Sequence, residues 1–124
     1  MGGLSVKAPG VRRRPGRVKR VPALLPAEGR AGAAPRWPLS GRAQKGWAEL
    51  WRLPQAVIWE RQQSDFAVAR YLRLRNAVDD VGSAETIRAN LLAELRHLET
   101  SLGLNHKGLQ VLGWEIVASE GDVA

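Results

Sequence analysis

The sequence predicts an all-α protein: a small helical domain with a central antiparallel helical hairpin, preceded by a disordered basic arm. Three observations lead there. Apolar residues recur at helical spacing through two successive stretches, about 65–81 and 85–102, with Gly82 and Ser83 at the junction. Basic charge is concentrated ahead of them: residues 1–52 hold twelve Lys and Arg against Glu28 and Glu49, a charge of +10, whereas residues 53–124 hold seven basic and ten acidic residues, a charge of −3. Four of the five tryptophans, Trp37, Trp47, Trp51 and Trp59, lie where the basic tail becomes the helical body. They supply a large apolar payload at that junction.

Taken in order, the arm carries Arg12, Arg13, Arg14, Arg17, Lys19 and Arg20, broken by Pro15 and Gly16 and flanked by Pro9, Gly10, Pro22 and Pro26. Like charges repel, and this composition buries too little apolar surface to offset chain entropy, so the arm is expected to be disordered when free. From Ala31 to Ser40, Pro35 and Pro38 prevent a continuous helix and mark a connector. Ser40 is the expected N-cap of a first helix over 42–52, with Ala43, Trp47, Leu50 and Trp51 on one face. Pro54 suits the first turn of a short second helix bearing Ala56, Val57, Ile58 and Trp59. Residues 65–81 continue helically, and whether the chain breaks near Gln62 to Ser64 is left open.

In that longer helix Ala67, Tyr71, Leu74, Val78 and Val81 form a seam. Gly82 and Ser83 provide a stop and a new cap. Ile87, Leu91, Leu95, Leu98 and Leu102 then line the next helix, which Gly103 ends with a left-handed cap. So short a connection returns the second helix alongside the first. Both stripes are read chiefly as intramolecular core. Tyr71, Leu74, Val78, Ile87, Leu91, Leu95, Leu98 and Leu102 are the candidate positions for that core or for a subunit interface. The tryptophans, Tyr71 and Phe66 are read as packing groups rather than a base-stacking platform. Asn105 caps a last short helix bearing Leu109 and Leu112, which Gly108 weakens. The expected divisions are 1–35 for the basic arm and connector, 36–118 for the helical domain and 119–124 for a frayed tail.

The chain has no cysteine, which rules out disulfides and thiolate–metal sites. No apolar run nears the roughly 18 residues of a membrane span, so a soluble intracellular protein is expected. Gly41-Arg42-Ala43-Gln44-Lys45-Gly46 lacks the order of a phosphate-binding loop. His97 and His106 lack metal-ligand spacing, and Glu94 and Glu99 lack a nucleophile, base and orienter around them. No catalytic residue, metal or cofactor is therefore assigned.

Several groups of residues together resemble the terminase small subunits of tailed bacteriophages, in the form found in actinobacterial phages and prophages. These are Leu25-Pro26-Ala27-Glu28-Gly29, Pro35-Arg36-Trp37-Pro38-Leu39, the run from Trp47 to Ala56 followed by Trp59, Leu91-Leu92-Ala93-Glu94-Leu95-Arg96, Leu102-Gly103-Leu104-Asn105, and finally Leu112 and Trp114. The resemblance covers about Leu25 to Ile116. It departs from the family at Gly108, Leu109 and Gly113, where relatives often carry Ala or Arg, and the arm matches in composition alone. The resemblance implies a non-enzymatic packaging factor in the host cytoplasm, a homo-oligomeric ring that binds double-stranded DNA and hands it to a large terminase subunit carrying the ATPase and nuclease.

On charge, the residues expected to touch DNA are Arg12, Arg13, Arg14, Arg17, Lys19 and Arg20, joined by Arg36, Arg42 and Lys45. Each cation that neutralises a phosphate releases a counterion. The alternatives are a helix-turn-helix regulator that reads bases with Asn105, His106, Lys107 and Gln110, and a capsid-associated structural protein whose basic tail faces DNA.

Overall fold

A computed structural model describes residues 21–80 and 85–118, the side chains of 85–87 excepted. The elements in order are β1 (Ala23–Pro26), α1 (Trp47–Leu50), α2 (Ala56–Arg61), α3 (Asp65–Asp80), α4 (Glu85–Ser101), α5 (His106–Leu112) and β2 (Trp114–Val117). The architecture is mostly helical, and the expectation of an all-α fold is corrected by one short parallel sheet. β1 and β2 pair in the register Ala23↔Trp114, Leu24↔Glu115, Leu25↔Ile116 and Pro26↔Val117. The pairing is prolonged at both ends, where Ala23 N donates to Gly113 O and Ala27 N to Val117 O. Parallel strands need a long crossover, and here the whole helical body supplies it. Leu25, 1% exposed, ties the sheet to the core. Ala23–Pro26, which the expected division places in the arm and connector, is thus paired with β2. Arg12 to Arg20, the Gly82–Ser83 junction, Val81, the Ile87 side chain and the 119–124 tail all lie outside the described residues.

The first helix is much shorter than its apolar spacing predicts. Gly46 sits at φ +99°, a left-handed conformation incompatible with helix continuation, and no side chain caps α1. Ala43, expected on the buried face, is exposed, and Ser40 does not act as the cap. The break between α2 and α3 is real: Gln63 adopts φ +55°, and Ser64 N donates to Trp59 O before α3 begins.

One core cluster joins Trp47, Leu50, Trp51, Ala56 and Trp59 to Val68, Ala69, Tyr71, Leu72 and Val78 of α3, to Leu95 of α4 and to Leu102 just after it. Three consecutive edge-to-face pairs run through it: Trp37–Trp47 at 4.9 Å between ring centroids, Trp47–Trp51 at 5.6 Å and Trp51–Trp59 at 5.6 Å. A buried aromatic ring system removes about 150–250 Å² from water, worth roughly 4–6 kcal/mol before entropic costs. The indole N–H groups at two points bind the ladder to other segments: Trp47 Nε1 donates to Pro35 O at 2.8 Å and Trp59 Nε1 to Leu102 O at 3.0 Å. Buried Gln55 adds a 2.9 Å bond from Nε2 to Gly103 O.

Helices α3 and α4 pack against each other. On α3, Tyr71 and Val78 of the expected seam are buried, but the covered face also takes in Val68, Ala69 and Leu72, while Ala67 and Leu74 are only half-buried. Along α4 and just past its end, Leu95 and Leu102 are buried and Leu91 and Leu98 are partly covered, as the periodicity implies.

Candidate nucleic-acid interface

Of the cations assigned to DNA, the described residues include Arg36, Arg42 and Lys45, all exposed in the non-helical stretch that leads into α1. Arg36 projects from an anchored stretch: the Pro35 carbonyl before it is held by Trp47, and the Trp37 ring after it packs edgewise on Trp47. Pro35 and Pro38, on either side, line a hollow of about 420 Å³ shared with Arg30, Trp51 and Phe66. Lys45 stands elsewhere. Its carbonyl accepts a 3.2 Å bond from Asn76 Nδ2, and it shares a hollow of about 350 Å³ with Asp79 and Asp80. Two carboxylates beside it oppose a phosphate there, so Lys45 is poorly placed for the role the sequence suggests.

Arg30 is a cation that sequence reasoning counted only as charge. Its Nη2 pairs with Glu60 Oε2 at 3.0 Å, and its Nη1 donates to Ala33 O at 3.2 Å and Trp51 O at 3.3 Å. The guanidinium carbon lies 5.5 Å from the Trp51 ring centroid, and 11% of the side chain is exposed. Arg30 therefore clips the connector onto the helical body and is withdrawn from any DNA-facing pool. The hydrogen bond from Arg30, and then its charge, hold the Glu60 carboxyl below its ordinary 4.5. No signal in the local sequence marks this arginine, because its partners lie 21 and 30 residues away.

The aromatic residues divide. Trp47, Trp51, Trp59 and Tyr71 are buried packing groups, but Phe66 is 52% exposed, with the Arg70 guanidinium 5.6 Å from its ring centroid. Burial pushes the Tyr71 hydroxyl up from 10.0, against the opposing influence of Arg75, with Glu99 adding to the rise. On α4, Glu94 is exposed and Glu99 half-buried.

Asn105 caps α5 as expected, its Oδ1 accepting from Gly108 N at 2.7 Å, while its Nδ2 donates to Thr100 Oγ1 at 3.0 Å. Both polar atoms are engaged inside the protein, which removes Asn105 from the base-reading set that a helix-turn-helix would need. Among the described residues, no three His, Cys, Asp or Glu side chains gather to hold a metal ion. No helix there is long and apolar enough to cross a membrane. Comparison with protein-family models, curated proteins and solved structures found no match to this chain.

Proposed function

We propose that the protein is a terminase small subunit, a non-catalytic factor that binds double-stranded viral DNA and recruits or regulates the large terminase ATPase and nuclease. In this reading it works in the host cytoplasm as a homo-oligomeric ring, with α3 and α4 as its antiparallel hairpin. The observation that carries the proposal is where the family-like residues meet. Leu25, Trp47, Leu50, Trp51, Trp59 and Leu102 are scattered over almost eighty positions, and all are buried. Indole hydrogen bonds join the Trp-rich run to Pro35 on one side and to Leu102 on the other.

The charge division supports the DNA-handling half of the proposal. A net +10 over residues 1–52 precedes a net −3 over residues 53–124, so attraction to a polyanion is concentrated in the leading part of the sequence. The test is reconstitution with a large terminase subunit and linear phage DNA. The expected result is a DNA-binding oligomer that changes the large subunit's ATPase rate or its cleavage. A protein that neither binds the large subunit nor alters its activity, yet copurifies with assembled virions, is a capsid-associated protein instead.

A further inference from the structure

The outer face of α4 carries a second cationic feature that the charge division along the sequence does not reveal. Ala93, Arg96, His97 and Thr100 follow one another at helical spacing, on the side opposite Leu91, Leu95, Leu98 and Leu102. Helix α5 crosses the end of this face because position 108 has no side chain: a Cβ on Gly108 would run into the Thr100 carbonyl and Cα. The close crossing sets Lys107 beside Arg96 and His97 and encloses a cleft of about 540 Å³.

The floor of the cleft is held by the protein's own bonds. Asn105 Nδ2 donates to Thr100 Oγ1, Thr100 Oγ1 donates to Arg96 O at 3.1 Å, and Gly108 N donates to Asn105 Oδ1. The three cationic or protonatable groups are different. Arg96, His97 and Lys107 are exposed, and none makes a side-chain hydrogen bond or ion pair among the described residues. Among the described residues no carboxylate lines the cleft. Elsewhere in the described structure Arg30 is paired with Glu60, Lys45 faces Asp79 and Asp80, and Arg70 and Arg75 lie over aromatic rings.

We propose that the cleft between α4 and α5 is a phosphate-binding site that grips the backbone of duplex DNA through Arg96, His97 and Lys107. An arginine fork and an ammonium converging without a counter-charge suit a phosphodiester. Among the described residues the lining has no aromatic ring and a single apolar residue, Ala93, which gives a base nothing to stack on. All three donors stand exposed, so a ligand that remains half in solvent fits better than an enclosed small anion. The choice of DNA as the source of the phosphate rests on the function proposed above, whereas the anion chemistry rests on the cleft alone.

The test is titration of the full chain into labelled duplex DNA over a range of salt, comparing the native protein with the double variant Arg96→Gln/Lys107→Gln. A second double variant, Arg73→Gln/Arg88→Gln, removes the same charge from exposed positions outside the cleft. Losing two phosphate contacts is expected to weaken binding about tenfold or more at low salt and to lower the slope of log K against log salt by about 2. The control should retain nearly the native slope, and all three proteins should melt together because the altered side chains are exposed. Native-like affinity and slope in the cleft variant overturn the site while leaving DNA binding to the arm and connector. Equal losses in both variants reduce the effect to net charge and also overturn it. If the native protein itself fails to bind DNA at low salt, the proposed function falls and the DNA assignment falls with it. A further arm titrates inorganic phosphate while following the amide resonances of 96–107; saturation by phosphate, with no response of these amides to DNA, overturns the backbone assignment in favour of a free anion.

Discussion

Arg30 and Gly108 each take their meaning from a neighbour that is remote in sequence or lies across a helix crossing. Replacing Arg30 by Ala removes an ion pair, two carbonyl contacts and packing over Trp51, and should destabilise the fold by about 1–3 kcal/mol in denaturant titration. Its partner supplies a pH signature. Because Glu60 titrates below its ordinary 4.5 in the folded protein, its ionised form stabilises the fold above that value. That contribution is lost as pH falls through the lower folded value. The melting temperature of Glu60→Gln should therefore lie slightly below the native one at neutral pH, and the two should converge in acid. Gly108→Ala forces a methyl group against the Thr100 carbonyl, so α5 must lift or α4 must yield. Overpacking of this kind costs about 1–3 kcal/mol, readable as a drop in thermal stability. The expectation that Gly108 merely weakens its helix misses this, since the missing side chain is what lets the helix dock.

At the scale of elements, the long helices α3 and α4 are the most legible parts of the chain, because an amphipathic period over sixteen or seventeen residues averages out single exceptions. Even so, the covered face of α3 is rotated in part: Tyr71 and Val78 of the expected seam are buried, but so are Val68, Ala69 and Leu72, while Ala67 and Leu74 are only half-buried. Rotation about a helix axis is chosen by the partner surface, here the tryptophan ladder. Leu95 is buried in that joint core, so Leu95→Asp introduces an unpaired charge costing several kcal/mol, on the order of 3 or more. Loss of the cooperative thermal transition is the expected outcome, and a native-like melt would show that α4 does not share the core. The short elements were the least legible. Apolar spacing around Trp47 overextends α1 because it takes no account of Gly46, and four-residue β1 has no period long enough to be seen beside Pro22 and Pro26.

For the whole molecule, the two strands at the ends of the described body clamp together what the helices enclose. Leu25→Ala should cost about 2–5 kcal/mol by opening a cavity beneath β1. Amide exchange should then quicken in β2 as well as β1, since neither strand has another partner among the described residues. Reversal of Arg12, Arg13 and Arg14 to Glu should leave the melting temperature unchanged and weaken DNA binding with a shallower salt dependence. Unaltered affinity at low salt would show that the arm is not the binding element. Light scattering of the protein alone and with DNA addresses the ring: a discrete high-order oligomer is expected, and a strict monomer in both conditions would remove it.

Local chemistry by itself determined the division into a basic leading stretch and a helical body, the two long helices, the Asn105 cap, and the left-handed turn at Gly103. These depend on charge, period and backbone freedom within a few residues. Only the tertiary structure decided that Ala23–Pro26 is a strand, that Arg30 is a clip, that Lys45 faces carboxylates, and that Arg96, His97 and Lys107 share a cleft. Each of those depends on contacts outside its own secondary-structure element, several between residues tens of positions apart. Such contacts form only when burial of the tryptophan ladder brings the segments together, and no window of sequence contains both sides of them.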